Sequence, residues 1–172
     1  MSDSHRLILG GARSGKSRAA EKTALDLTPN PLYVATAEAL DEEMQQRICI
    51  HQSRRDSNWS LIEEPIHLGD ILVENSNSEV VLVDCLTLWL SNCLHHGCWP
   101  EQRKSLINAL EQTDSTVIMV SNEVGNGIVP MGELSRTYVD ESGWLHQDLA
   151  KVCSHVTLIM AGLEQTLKSP LK

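Results

Sequence analysis

Apolar residues in this chain fall into short unbroken runs separated by longer amphipathic stretches. Leu7-Ile8-Leu9, Leu32-Tyr33-Val34 within Pro31 to Ala35, Val80 to Val83, Thr116 to Val120 and Val156 to Met160 show no apolar–polar alternation. Such runs suit strands buried on both faces. The stretches between them predict helices over about 17–27, 38–55, 67–75, 85–95, 100–113 and 132–151. Strand–helix alternation predicts an α/β fold, a mainly parallel sheet flanked by helices. Asn75 to Ser78 and Gly97 to Pro100 read as loops. No internal repeat, low-complexity tract or linker breaks the pattern, so residues 1–172 are read as one domain.

The junction between the first strand and the first helix changes the picture most. It reads Gly10-Gly11-Ala12-Arg13-Ser14-Gly15-Lys16-Ser17, the Gly-x4-Gly-Lys-Ser spacing of a P-loop. Glycines at Gly10 and Gly15 allow a tight turn and close approach of a ligand to the backbone. Successive N–H groups then form an anion cradle, reinforced by the positive end of the helix dipole. Lys16 is placed to reach the β- and γ-phosphates, and the Ser17 hydroxyl to ligate Mg²⁺. The pattern predicts a P-loop nucleotide-binding domain. A glycine-rich turn without a ligand is the bland alternative.

Composition narrows the partners. Net charge is −9, which argues against broad binding to nucleic acid or to an anionic membrane. It leaves nucleotides open, because a phosphate cradle is local and built largely from backbone. No apolar run reaches the roughly 20 residues of a membrane span. Met1 to His5 is polar and lacks a signal-peptide core, so a cytoplasmic location is expected. The sequence has no Phe, so Leu, Ile, Val and four Trp must fill the core. Five scattered cysteines suit reduced thiols better than a disulfide framework. Cys93, His95, His96 and Cys98 are all zinc-ligand types, but structural zinc sites usually draw ligand pairs from two separated segments. The cluster reads as an incidental helix-end segment or a metal site, and its role stays open.

Three further constellations carry chemistry. Asp84 ends the run Val80 to Val83; it is placed to hold Mg²⁺, to cap the next helix, or both, and the P-loop favours the metal role. On the helix predicted over 38–55, His51 shares a face with Arg47, Arg54 and Arg55. Guanidiniums around an imidazole suit phosphate, although a solvated basic face would look similar. Neutral imidazole is a good nucleophile, and neighbouring cations keep it neutral. Finally, Ser121-Asn122-Glu123-Val124-Gly125-Asn126-Gly127-Ile128-Val129-Pro130 follows a strand. It is either an ordinary connection or a loop facing the ligand crevice at the sheet's carboxyl edge.

Taken together, these residues resemble the bifunctional adenosylcobinamide kinase/adenosylcobinamide-phosphate guanylyltransferases of cobalamin biosynthesis. The resemblance runs from about Leu7 to Lys168. Besides the P-loop it rests on Tyr33-Val34-Ala35-Thr36-Ala37, Asp41-x-Glu43-Met44 with Arg47-Ile48 and His51, and Trp59 with Glu63-Glu64-Pro65. It continues through Val83-Asp84-Cys85-Leu86-Thr87-Leu88-Trp89 with Asn92, Ser121 to Gly125 with Gly127 to Pro130, and Arg136 with Asp140. It implies phosphorylation of the aminopropanol hydroxyl of adenosylcobinamide by ATP or GTP. Transfer of GMP from GTP to that phosphate would follow, through a guanylylated His51, giving adenosylcobinamide-GDP and pyrophosphate. It further implies nucleotide contacts from Ala35, Thr36, Ala37, Gln52, Ser53, Arg54, Arg55, Glu63 and Asp84, and a RecA-like fold assembled as a homotrimer. Family members often carry Asn-Gln where this chain has His146-Gln147, a departure expected to change one polar contact. A P-loop kinase of another small molecule would need Lys16 and Asp84 but not His51 and its arginines. A nucleotide-binding regulatory module would form no covalent adduct.

Overall fold

The computed structural model describes residues 5–38 and 58–170. Its frame is a seven-stranded sheet in the order β3-β2-β4-β5-β1-β6-β7. The strands are β1 (Arg6–Gly10), β2 (Leu32–Ala35), β3 (Ser60–Glu63), β4 (Val80–Asp84), β5 (Thr116–Asn122), β6 (His155–Met160) and β7 (Leu163–Lys168). All neighbours run parallel except β6 and β7. The helices are α1 (Lys16–Leu27), α2 (Leu68–Glu74), α3 (Leu86–His95), α4 (Trp99–Gln112) and α5 (Glu133–Val152).

The unbroken apolar runs divide their side chains between two cores. Leu7, Leu9, Val81, Val83, Val117 and Met119 face α2 to α5. Ile8, Leu82, Ile118 and Val120 face Ala20 and Ala24 of α1. With both strand faces buried, polar residues have nowhere to alternate. Trp89 and Trp99 supply the bulk that phenylalanine would bring elsewhere. Their rings meet edge to face at 5.3 Å, and Trp89 Nε1 donates to the Ile66 carbonyl at 2.7 Å.

The two outermost strands, β3 and β7, were not expected from the hydrophobic pattern. In β3 only Ile62 is even half-buried, and every residue of β7 is exposed. An edge strand with one or no buried face leaves no apolar run to detect. The predicted helix over 38–55 lies outside the described residues, apart from Glu38, which is not helical. The other predicted helices match α1 to α5 within a few residues.

Candidate functional site

The site is assembled along the carboxyl edge of the sheet. In register, Glu63 stands beside Ala35 and Ala35 beside Asp84, at the ends of β3, β2 and β4. On the other side of β5, Asn122 stands beside Gly10 at the end of β1. Glu123 N donates to Gly10 O at 3.0 Å, which ties the end of β5 to the start of the P-loop. Thus β5 separates the P-loop strand from the strand that ends in Asp84, and its carboxyl end lies between them.

The loop from Gly10 to Ser17 has the shape its residue types predict. A Cβ on Gly10 would lie 2.5 Å from Ser14 Oγ and 2.6 Å from the Ile159 carbonyl, so only glycine fits. Gly15 has φ 99° and Arg13 φ 56°, left-handed conformations that fold the chain back onto α1. Gly15 caps α1 without a side-chain acceptor, and no acidic residue occupies the first turn. The amides of that turn are therefore open to an external anion. Ser14 Oγ is buried without a hydrogen-bond partner, an unspent donor within the same cradle. These features fit a bound phosphate chain.

Lys16 folds across the loop, its Nζ donating to Gly11 O at 3.0 Å. Burial lowers its pKa, while the nearby Cys85 and Asp84 oppose that shift. Cradle and carboxylate thus share one electrostatic field. Asp84 is half-buried, and the Tyr33 hydroxyl donates to its Oδ2 at 2.9 Å. Burial and Asp84 push the Cys85 thiol up to about 11, so it stays protonated and unreactive.

Ala35, Thr36 and Ala37 continue from β2 along the same edge. The Thr36 hydroxyl donates to Cys85 O at 2.7 Å and accepts from Cys85 N at 2.9 Å. Asn92 Nδ2 donates to Thr36 O at 2.9 Å and Pro65 O at 3.2 Å. Thr36 therefore pins the ends of β2 and β4 together. Glu63 is exposed at the far end of this row. His51, Gln52, Ser53, Arg54 and Arg55, with Arg47, lie outside the described residues.

Tyr33 and Asn92 enter the sequence analysis only as members of the resembling motifs, and His146 only as a departure expected to change one polar contact. Asn92 and His146 are buried polar residues on amphipathic helices. A polar residue at an apolar helical position was the available signal, since burial requires a partner. At the Cys93 to Cys98 segment, Cys93 is buried and Cys98 half-buried, while His95 and His96 are exposed. The two imidazoles meet each other edge to face, and His96 Nε2 lies 3.5 Å from Glu38. Among the described residues no group of three or more His, Cys, Asp or Glu is arranged to hold a metal ion. No helix among them is long and apolar enough to cross a membrane.

Comparison with known proteins adds the chemistry. Residues 6–167 match the family described as cobinamide kinase / cobinamide phosphate guanyltransferase. The bifunctional adenosylcobalamin biosynthesis protein CobP of Pseudomonas aeruginosa is 48% identical over 166 residues, covering 94% of this chain and 96% of that protein. The bifunctional adenosylcobalamin biosynthesis protein CobU of Escherichia coli K12 is 37% identical over 179 residues, covering 94% of this chain and 98% of that protein. Among solved structures, the RadB recombinase superposes with a TM-score of 0.53 at 15% identity, over 91% of this chain and 74% of that one. The flagellar accessory protein FlaH of Methanocaldococcus jannaschii gives 0.54 at 13% identity, over 98% and 79%. At such low identity these likenesses speak for the fold, a RecA-like P-loop NTPase.

Proposed function

Because the chain belongs to the cobinamide kinase / cobinamide phosphate guanyltransferase family, we propose that both of its reactions run over one P-loop, with His51 as the nucleophile of the second. The observation that carries this reading is the shared carboxyl edge. An uncapped α1 with an unspent Ser14 hydroxyl, the Lys16 ammonium and the Asp84 carboxylate all meet there. In the kinase reaction, ATP or GTP gives its γ-phosphoryl group to the aminopropanol hydroxyl of adenosylcobinamide. Lys16 and the amides of the cradle follow the charge as it moves to the departing diphosphate.

In the second reaction the same cradle holds the β- and γ-phosphates of GTP, which leave as pyrophosphate. His51 attacks the α-phosphorus and carries GMP to the phosphorylated substrate. The segment that bears His51 follows β2, whose carboxyl end belongs to the site row. Arg54 and Arg55, with Gln52 and Ser53, bind the phosphate undergoing transfer. Ala35, Thr36 and Ala37 line the nucleotide through their backbone, and Glu63 accepts guanine N–H donors. The Ser17 hydroxyl and the Asp84 carboxylate are hard oxygen donors of the kind Mg²⁺ prefers. When bound there, the ion would neutralise phosphate charge. The protein acts in the cytoplasm as a homotrimer.

Turnover of adenosylcobinamide with GTP tests this directly. Adenosylcobinamide phosphate is expected first and adenosylcobinamide-GDP with pyrophosphate second. A protein that makes the phosphate but never the GDP adduct would contradict the shared-site reading.

A further inference from the structure

Beyond the P-loop row, the described residues hold a second polar constellation, Ser121, His146 and Glu123, which the functional reading leaves without a task. His146 Nε2 lies 2.8 Å from Ser121 Oγ, and His146 Nδ1 lies 3.9 Å from Glu123 Oε2. In outline this is the serine, histidine and acid arrangement of a hydrolase. Burial rules that role out: Ser121 is 2% exposed inside β5, so no substrate carbonyl reaches its hydroxyl. The partly exposed member is Glu123, with 24% of its side chain accessible. The chain of contacts therefore runs outward, from a buried anchor to a carboxylate at the site edge.

The position of that carboxylate matters. Glu123 N is bonded to Gly10 O, so the residue stands directly beside the P-loop, just past the end of β5, which lies between the strand that leads into the P-loop and the strand that ends in Asp84. The cradle leads into α1, which packs on one face of the sheet. Glu123 turns toward the other face, where α5 presents His146. In-line transfer needs the acceptor oxygen on the side of the γ-phosphorus away from the departing β-phosphate. With the phosphates in the cradle, Glu123, beside Gly10 and toward α5, would stand on that side. Its second oxygen, Oε1, accepts from Gly125 N at 2.5 Å, which fixes the rotamer.

We propose that Glu123 takes up the proton of the cobinamide hydroxyl in the kinase reaction and that His146 holds it in position. The hydroxyl O–H bond breaks and its oxygen bonds to the γ-phosphorus. The bond from that phosphorus to the β-phosphate oxygen breaks, and the nucleoside diphosphate leaves with the electron pair. The proton rests on the Glu123 carboxylate and passes to solvent after release. Burial lowers the pKa of His146, against the pull of Glu123, and keeps the ring neutral. A neutral ring with its proton on Nδ1 turns the positive end of that N–H toward Glu123 across 3.9 Å, longer than a hydrogen bond, and accepts at Nε2 from the Ser121 hydroxyl. The guanylyl transfer needs no such base, because its acceptor is an ionised phosphate with no proton to lose.

The two reactions give the test its own control. Each variant is assayed for phosphorylation of adenosylcobinamide and, separately, for guanylyl transfer to supplied adenosylcobinamide phosphate. Glu123→Gln keeps the shape and the bond from Gly125 but removes the base. It is expected to lose about 100-fold or more in the kinase kcat. Its guanylyl transfer should stay within about twofold of wild type, which also shows that the variant folds. His146→Ala should lower the kinase kcat by roughly 10- to 100-fold with KM for adenosylcobinamide unchanged. His146→Asn, which restores a donor, should recover most of that loss. A Glu123→Gln protein with near-normal kinase turnover would overturn the proposal. So would an equal loss in both reactions, which would make Glu123 a nucleotide-binding group. Wild-type protein that phosphorylates no cobinamide would overturn the functional reading and this proposal with it.

Discussion

Lys16 combines a functional demand with a folding cost. Its ammonium is half-buried and its pKa is lowered, chiefly by desolvation, so the folded state disfavours the charge that phosphate binding requires. Lys16→Ala is expected to cost about 100-fold or more in each reaction. It should not lower the melting temperature, because the change removes a desolvated charge. Loss of only one activity would separate the two sites. Asp84 poses a different question, since an Asp at this position can serve as metal ligand or helix cap. No side-chain cap bond forms at the start of α3, whose capping residue is Cys85. Asp84→Asn should therefore lose activity that added Mg²⁺ or Mn²⁺ partly restores, with little change in stability. Activity that survives at ordinary Mg²⁺ would count against the metal role.

A buried imidazole far from the site makes the pH prediction at this scale. His5 Nε2 donates to Leu110 O at 2.8 Å, and Nδ1 accepts from Val117 N at 3.3 Å. The ring joins α4 to β5 and must stay neutral to do both. Burial lowers its pKa, against the raising effect of the Leu110 bond. The unfolded state then binds the proton first, near pH 6.5, so stability falls as pH drops below that value. Denaturant midpoints measured from pH 7.5 to 5 should decline, and His5→Gln should flatten part of the decline. An unchanged slope in the variant would mean that other groups, such as His146, carry it.

Among the elements, the β6–β7 hairpin shows what the hydrophobic pattern could not reveal. Met160 and Leu163 pair across a two-residue turn, Ala161-Gly162, with φ values of 53° and 77°. Both positions are left-handed, as the right-handed twist of a hairpin requires. The turn matters to the site because Gly162 N donates to Ser14 O at 3.0 Å and so braces the P-loop. Alanine is a poor residue for such a turn. Ala161→Asn or Ala161→Gly is expected to stabilise the fold by about 0.5–1 kcal/mol, read from the urea midpoint. A destabilised variant would mean the Ala161 methyl makes contacts that outweigh its backbone conformation. The P-loop and β4 were legible because their chemistry sits at fixed offsets on buried strands. The hairpin was not, because β7 buries neither face and its turn lacks an Asn-Gly or Asp-Gly signal.

At the scale of the whole molecule, strand–helix alternation was enough to predict the mainly parallel sheet, and the order of its strands followed only from the structure. Which strand lies between β1 and β4 depends on long-range pairing that no local window records. That placement sets Glu123 beside the P-loop, which is why sequence alone gave the Ser121 to Pro130 loop two readings and gave His146 no more than a changed polar contact. The homotrimer proposed above makes a direct prediction at this scale. Light scattering on purified protein should give three times the 19.1 kDa mass of the chain. A concentration-independent mass of 19.1 kDa would exclude that assembly.

The central claim is that one P-loop serves both phosphoryl transfer to a hydroxyl and nucleotidyl transfer through His51. Incubation with Mg²⁺ and GTP labelled at the α-phosphate tests it most directly. The account predicts label retained on the protein, release of pyrophosphate, an acid-labile and alkali-stable bond, and mass spectrometry that places GMP on His51. His51→Ala should take up no label and make no adenosylcobinamide-GDP, yet still phosphorylate adenosylcobinamide. A His51→Ala protein that forms adenosylcobinamide-GDP at the wild-type rate would contradict the account.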